Sequence, residues 1–259
     1  MNTSVPILMY HLVTPRPLPG FRKYSLTPDS FAAQMKWLAL AGYTTITLDD
    51  LLAFRNGRAG LCKRPVIITF DDGYQDCVEY AGPILAAHGF TAIFYLVAGL
   101  SGRTSRWLRP ELGCEFPLVS WETARQLEVA GFQCGAHSMS HPRLAEVSVS
   151  MCRAELLDCR HLLEDRLGHE VQHLAYPYGS YNESVREIAA QAGYVSACST
   201  RKGLSAPDDD SLALHRVPVY GHDTVIDFIC RLHNRCTPRE WLRHKTQSTK
   251  QWLGHPESF

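Results

Sequence analysis

Two carboxylates stand side by side in this chain. Asp71 and Asp72 follow the apolar run Ile67-Ile68-Thr69-Phe70 and precede Gly73. Adjacent carboxylates repel, and a divalent cation relieves the repulsion by neutralising one and leaving the other free to act as a base. A solvated Asp-Gly turn after a strand needs no cation, and Asp-Asp-Gly alone fits both descriptions. Further along, His137 and His141 are four residues apart, with Pro142 behind them. On a helical turn this spacing places both imidazoles on one face, about 5–6 Å apart at Cβ, close enough for one metal ion. One carboxylate with two histidines makes a facial site that keeps positions open for water and substrate. Two surface histidines near a turn would show the same spacing, so it is their combination with strand-end aspartates that points to metal-assisted hydrolysis.

The elements that must position these groups alternate. Val5 to Tyr10 reads as a buried strand delivering His11, and Thr27-Pro28 opens a helix that Gly42 ends. Pro65 to Phe70 is the strand carrying the aspartates, followed by a helix over Tyr74 to His88, where Asp76 suits the N-terminal dipole. Thr91 to Val97 is a strand, residues 99–119 a long loop, and Ser120 caps a helix ending at Gly131. Phe132 to Ala136 leads into the histidines, and Ser150 to Leu167 is the longest helix. Strands over Val171 to Ala175, Tyr194 to Ser199 and Val217 to Tyr220 follow, with helices over Asn182 to Ala192 and Thr224 to Leu232. Candidate site residues sit just after strands. That predicts a parallel α/β sheet, open or closed into a barrel, with the site at the carboxyl ends of its strands.

The 259 residues carry no formal net charge, so nothing global points to nucleic acid or an acidic membrane. No apolar run approaches the roughly 18 residues a membrane span needs, and the first residues do not read as a signal peptide. Nine scattered cysteines without a Cys-x-x-Cys pair argue against a disulfide framework and for reduced thiols in a cytoplasmic protein. No glycine-rich phosphate loop follows a strand, which argues against dinucleotides and nucleoside triphosphates.

With these residues assembled, the chain resembles the polysaccharide deacetylases of the NodB homology type, carbohydrate esterase family 4. Thr69 to Gly73 matches the family's Thr-Phe-Asp-Asp-Gly motif, and His137 to Pro142 matches His-Ser/Thr-x-x-His-Pro. Ala175-Tyr176-Pro177-Tyr178 stands where Arg-x-Pro-Tyr is usual. The resemblance spans roughly residues 5 to 220 and implies a distorted (β/α)7 barrel. It implies Asp71 as general base and Asp72, His137 and His141 as ligands of a metal, most often Zn2+, with Co2+ or Ni2+ also compatible. It places the oxyanion on the metal and the Tyr178 N–H; Tyr176 and Tyr178, around Pro177, are candidates to stack on sugar rings or to pack the loop, and Trp121 is a candidate to line an acetyl pocket or to belong to the core. The substrate it implies is an N-acetylated glycan or glycolipid.

Two departures stand out. Ala175 replaces the motif's arginine, leaving Arg216 as a candidate partner for Asp71, although an arginine opening a strand is commonly a rim charge. The usual Leu-x-His near the C-terminus is missing. Biofilm poly-N-acetylglucosamine deacetylases draw the acid from an N-terminal Tyr-His motif, which Tyr10-His11 resembles, so His11 is the expected general acid and His215 the fallback. Residues 1–232 are expected to form the catalytic domain, and 233–259 a basic tail. Arg231, Arg235, Arg239, Arg243, Lys245 and Lys250 run through the tail region, with Trp241 and Trp252, as a solvated tail or a surface for peripheral contact with a glycolipid membrane. A catalytically silent glycan-binding protein and a hydrolase of small non-sugar amides are the alternative readings. Oligomeric state has no signature in the sequence.

Overall fold

The computed structural model describes residues 4–241. Ten strands form: β1 (Ile7–Tyr10), β2 (Leu12–Val13), β3 (Ser25–Leu26), β4 (Thr44–Thr45), β5 (Pro65–Phe70), β6 (Ile93–Leu96), β7 (Gln133–Ala136), β8 (His173–Ala175), β9 (Ser196–Lys202) and β10 (Leu214–Pro218). Seven of them close a parallel barrel in the order β1-β10-β9-β8-β7-β6-β5, with β5 pairing back onto β1. β4 extends the sheet outside β5, and β2 and β3 form a separate small pair. The expected (β/α)7 barrel is therefore the observed fold.

Helices α1 (Pro28–Leu40), α2 (Leu48–Arg55), α3 (Gly82–Ala87), α4 (Arg109–Leu112), α5 (Trp121–Val129), α6 (Val149–Leu167), α7 (Glu183–Gln191) and α8 (Val225–Leu232) complete the architecture. Side-chain oxygens of Thr27, Thr47, Ser120, Ser148, Asn182 and Thr224 accept first-turn N–H groups, so six helices begin where a capping residue stands.

Strand alternation sorts the core into two layers. Ile7, Ile67, Ile93, Tyr95, Ala175, Cys198 and Leu214 make one buried cluster, joined by Ile46, Leu48 and Leu51. Their neighbours Leu8, Tyr10, Ile68, Phe70, Phe94 and Val217 pack with residues of the helices. Because side chains on a strand alternate, inward positions recur every second residue. Continuing Ile7 reaches Met9 and His11, continuing Ile67 reaches Thr69 and Asp71, and continuing Leu214 reaches Arg216. A Cβ on Gly135 would lie 2.6 Å from the Tyr95 ring, so glycine is what lets that ring fill the interior next to β7. Outside the barrel, Phe70 and Phe94 stack at 4.7 Å, each burial contributing about 1.5–3 kcal/mol.

Three expectations change. The segment after the aspartates is not one helix. Cys77–Ala81 forms a π-turn in which Gly82 N–H donates to Cys77 O, and α3 follows. Pro83 has no N–H to donate, which favours the wider i→i+5 register beside it. Residues 99–119 are not featureless, because short turns and α4 fold back through bridges Thr104–Pro117 and Tyr74–Leu118. β10 begins at Leu214 rather than Val217, which places Arg216 inside the strand.

Among the described residues no helix is long and apolar enough to cross a membrane. All nine cysteines are free. Of the basic tail, residues 242–259 lie outside the described residues. Arg231 is not a free charge: its guanidinium pairs with Asp223 and Glu240, each at 3.0 Å.

Candidate active site

Asp71 and Arg216 meet in the barrel mouth. Arg216 Nη1 and Nη2 each lie 2.7 Å from one Asp71 oxygen, a bidentate pair, and Arg216 also donates to Thr69 Oγ1 and Ser199 O. Both side chains are buried, Arg216 completely. Burial pushes the Asp71 carboxyl up, but the charge and hydrogen bonds of Arg216 outweigh it and hold Asp71 below its ordinary range. Arg216 is thus an interior charge facing the aspartate, not a rim charge.

Next to it, Asp72 Oδ1 lies 3.3 Å from His137 Nε2 and 3.0 Å from His141 Nε2. Ligand atoms of the three residues all fall within 4.8 Å of one another. His137 Nδ1 is 2.7 Å from Ala175 O, and a carbonyl only accepts, so Nδ1 carries the proton. In the neutral ring Nε2 is then a lone pair aimed at a carboxylate oxygen. A neutral ring and a carboxylate would be two acceptors facing each other, a contact that a cation between them makes stable, and His141 converges on the same oxygen. The donor set therefore fits a divalent metal ion with three protein ligands. Burial raises the Asp72 carboxyl, yet its contacts with His137 and His141 hold it well below the usual range.

The histidines do not sit on a helical turn, as their spacing suggested. They flank a loop in which Ser138 and His141 have φ of 63° and 67°. Glu155 of α6 holds that loop: its carboxylate accepts from Met139 N and Ser140 N at 2.9 Å and from Ser140 Oγ at 2.5 Å. Four of the five non-glycine residues with positive φ among those described are Asp72, Ser138, His141 and Tyr178. Backbone strain is concentrated at this site, as it is where geometry is held for function.

Above these groups opens a cavity of about 380 Å³, lined by His11, Asp71, Asp72, His137, His141 and Tyr178 together with Tyr24, Trp107 and Tyr220. His11 Nδ1 is buried and makes no hydrogen bond. Burial lowers the His11 pKa, and the nearby Asp72 and Asp71 charges only partly offset it. Tyr178 is the second residue of the turn Pro177–Gly179, so its N–H has no acceptor within the turn. Its ring meets His141 edge-on at 4.6 Å.

Other candidates fall elsewhere. Trp121 packs against the helix layer and does not line the cavity. Tyr176 is buried, donates to Leu212 O and stacks on Tyr181, because the strand turns its ring away from the mouth. Pro177 is buried beneath the turn. His215 pairs with Asp209 and does not line the cavity, since it alternates with inward Arg216. The tryptophan at the site is Trp107, stacked on His141 with centroids 4.2 Å apart. It was missed because its loop has no periodicity. Glu155 was also missed, although a carboxylate among Cys152, Leu156, Cys159 and Leu163 on one helix face was a readable signal.

The polysaccharide deacetylase family model matches residues 58–197, more than half of the chain. YxkH of Bacillus subtilis, whose name places it with the polysaccharide deacetylases, is 26% identical over 216 residues, covering 83% of this chain and 71% of its own. The poly-beta-1,6-N-acetyl-D-glucosamine N-deacetylase of Staphylococcus epidermidis is 22% identical over 207 residues, covering 76% of this chain and 69% of its own. Among solved structures, the Streptococcus pyogenes deacetylase PplD in complex with acetate superposes with a TM-score of 0.79 at 22% identity, over 90% of this chain and 99% of that one. The chain belongs to the polysaccharide deacetylase family, the NodB homology domains of carbohydrate esterase family 4.

Proposed function

We propose that this protein is a metal-dependent deacetylase that hydrolyses the N-acetyl amide of N-acetylated sugar units and releases acetate. The observation that carries the reading is the pairing of a charge-fixed carboxylate, Asp71, with the adjacent Asp72, His137 and His141 at the floor of one cavity. A divalent cation held by those three residues would supply Lewis acidity toward the acetyl carbonyl and acidify the attacking water, and zinc suits the donor set, with cobalt and nickel as substitutes.

The chain's own residues do the rest. Asp71, kept ionised by Arg216, accepts the proton of the water that adds to the acetyl carbon. The Tyr178 N–H faces the oxyanion. His11 donates a proton to the nitrogen as the C–N bond breaks and the amine departs. Burial holds the His11 pKa down, which makes its charged form a stronger acid and also a less populated one at neutral pH. Tyr24, Trp107, Tyr178 and Tyr220 offer ring surfaces for sugar faces.

Acetate release from chito-oligosaccharides, poly-β-1,6-N-acetylglucosamine and small amides, together with metal analysis, tests the reading. The expected result is acetate from at least one glycan, lost on chelation and restored by zinc. Glycan binding by metal-loaded protein without acetate release would make it a silent binding protein. Turnover of small amides alone would make it an amide hydrolase of another kind. The absent motif arginine is the best support for a silent protein, and the pairing of Arg216 with Asp71 counts against it.

A further inference from the structure

The walls of the cavity are charged unequally. On one side Glu111 and Arg143 both act on Tyr178, so opposite charges offset each other there. On another side Lys23 and Lys202 line the cavity with Tyr24 and Tyr220. Lys23 Nζ lies 4.8 Å from the Tyr24 ring centre and 5.4 Å from that of Tyr220, and Lys202 Nζ lies 5.8 Å from the Tyr220 centre. Both ammonium groups therefore lie near the Tyr220 ring, and Lys23 Nζ also donates to the Tyr24 hydroxyl at 3.1 Å. Among the described residues neither lies within ion-pair distance of a carboxylate. Asp223, close by, is engaged by Arg231 at 3.0 Å and by the Tyr220 N–H at 2.9 Å.

Both lysines are held at their places by the fold. Lys202 ends β9 in register with Arg216, two residues beyond the cavity-lining Thr200. Lys23 is tied to the Tyr220 loop because Gly221 N–H donates to Lys23 O at 3.0 Å. A second concavity of about 240 Å³ shares Lys202 and is lined by Arg231, Arg235 and Glu240; Arg231 is compensated there by Glu240 and Asp223, and Arg235 adds a further cation beside Lys202. Like charges gathered without a counter-charge repel, and a bound anion relieves the repulsion.

We propose that Lys23 and Lys202 form an oxyanion subsite that takes a phosphate or carboxylate group carried by the glycan beside the sugar to be deacetylated. The proposal rests on the deacetylase reading for its position and adds a substrate class, acidic N-acetylated glycans.

Calorimetric binding of tri-N-acetylchitotriose, its 6-phosphorylated form and a form ending in a uronate tests it without requiring turnover. At low ionic strength an anionic trimer should bind about tenfold tighter than the neutral one, with the ratio shrinking as salt rises. Preference for the phosphorylated trimer alone assigns phosphate, and preference for both assigns oxyanions in general. The double variant Lys23→Gln/Lys202→Gln should bring the ratio close to one, whereas Lys36→Gln, on exposed α1 surface, should keep it. Equal affinity for all three trimers, or a preference that survives in the double variant, overturns the subsite. Acetate release from the same trimers reads the deacetylase assignment separately: a protein that prefers the anions but releases no acetate keeps the subsite and loses the activity.

Discussion

Arg216 grips Asp71 through both terminal nitrogens, 2.7 Å to each oxygen, across strands far apart in sequence. The fork matches the carboxylate plane, so the pair fixes the direction of Asp71 as well as its charge. Removing the arginine leaves a buried carboxylate unpaired, which costs about 3–5 kcal/mol. Arg216→Met should therefore lower the urea midpoint strongly and abolish acetate release. Arg216→Lys should recover part of the stability, since a point charge remains, but little of the turnover. Near-normal kcat in Arg216→Lys would show that orientation of Asp71 is not what the arginine contributes.

The proposed mechanism makes Asp71 the base and His137 a metal ligand, and substitutions separate the two roles. Asp71→Asn keeps the size but cannot take a proton, and it turns one of the two oxygens that accept from Arg216 into a donor. It should lower kcat by about 10²–10⁴-fold with the metal content unchanged. His137→Ala should lose both, because it would remove one of the three proposed ligands. Metal analysis of the purified variants beside acetate release distinguishes the two, and an active Asp71→Asn with full metal would remove Asp71 from the mechanism.

Much of this site was legible because strand residues point inward every second position. Ile67-Thr69-Asp71 and Ile7-Met9-His11 are each a strand's inner line carried to its end, and Leu214-Arg216-Pro218 is another, obscured by placing the start of β10 three residues late. Helix starts were equally readable from Thr27, Ser120 and Asn182, where the cap is local chemistry. What could not be read was non-local. The His137–His141 loop is held by Glu155 from another element, and Trp107 reaches His141 from a segment without periodicity. Pro83 altered the helix register through a missing N–H that the apolar pattern does not record.

Away from the site, Asp49 joins α2 to β8 through His173 Nε2 at 3.1 Å. That hydrogen bond holds the Asp49 carboxyl below its ordinary range. A carboxylate with a lowered folded-state pKa stabilises above the unfolded value of about 3.9 and loses that contribution as pH falls through the folded one. Asp49→Asn should therefore lower the urea midpoint slightly at pH 7, and the difference from wild type should vanish in acid below the ordinary carboxylate range. The effect is small because Asp49 is half exposed. A difference that grows on acidification would reverse the sign assigned here.

Trp107 stacks on His141 at 4.2 Å with ring planes 22° apart, and both line the cavity. Trp107→Ala removes a wall and a brace for the imidazole. Since the ring is only half buried, unfolding should change little. The KM for a chito-oligosaccharide should rise about tenfold, the scale on which loss of one aromatic contact weakens binding. Trp107→Phe should recover most of it. Unchanged KM in the alanine variant would mean that sugars do not use this wall.

Glu155 acts on the histidines without touching them. Its carboxylate accepts two backbone N–H groups and one hydroxyl from Met139 and Ser140, midway between His137 and His141. Those two residues hold their positive-φ neighbours, Ser138 and His141, in a conformation that strained backbone does not keep unaided. Glu155→Gln keeps the oxygen that accepts both N–H groups but loses the charge that strengthens those bonds, and its amide must donate to Ser140 Oγ instead of accepting from it. Partners that support metal ligands change affinity by about 10–100-fold when removed. Glu155→Gln should thus weaken zinc binding by that factor, measured by competition with a chelator, and reduce kcat under limiting zinc, with activity recovering as zinc is raised to saturation. Glu155→Ala should do the same with a larger loss of stability, since it leaves the N–H groups of Met139 and Ser140 without their acceptor in a part-buried loop. If zinc affinity is unchanged while stability falls, the carboxylate supports the fold alone and the histidines keep their geometry by other means.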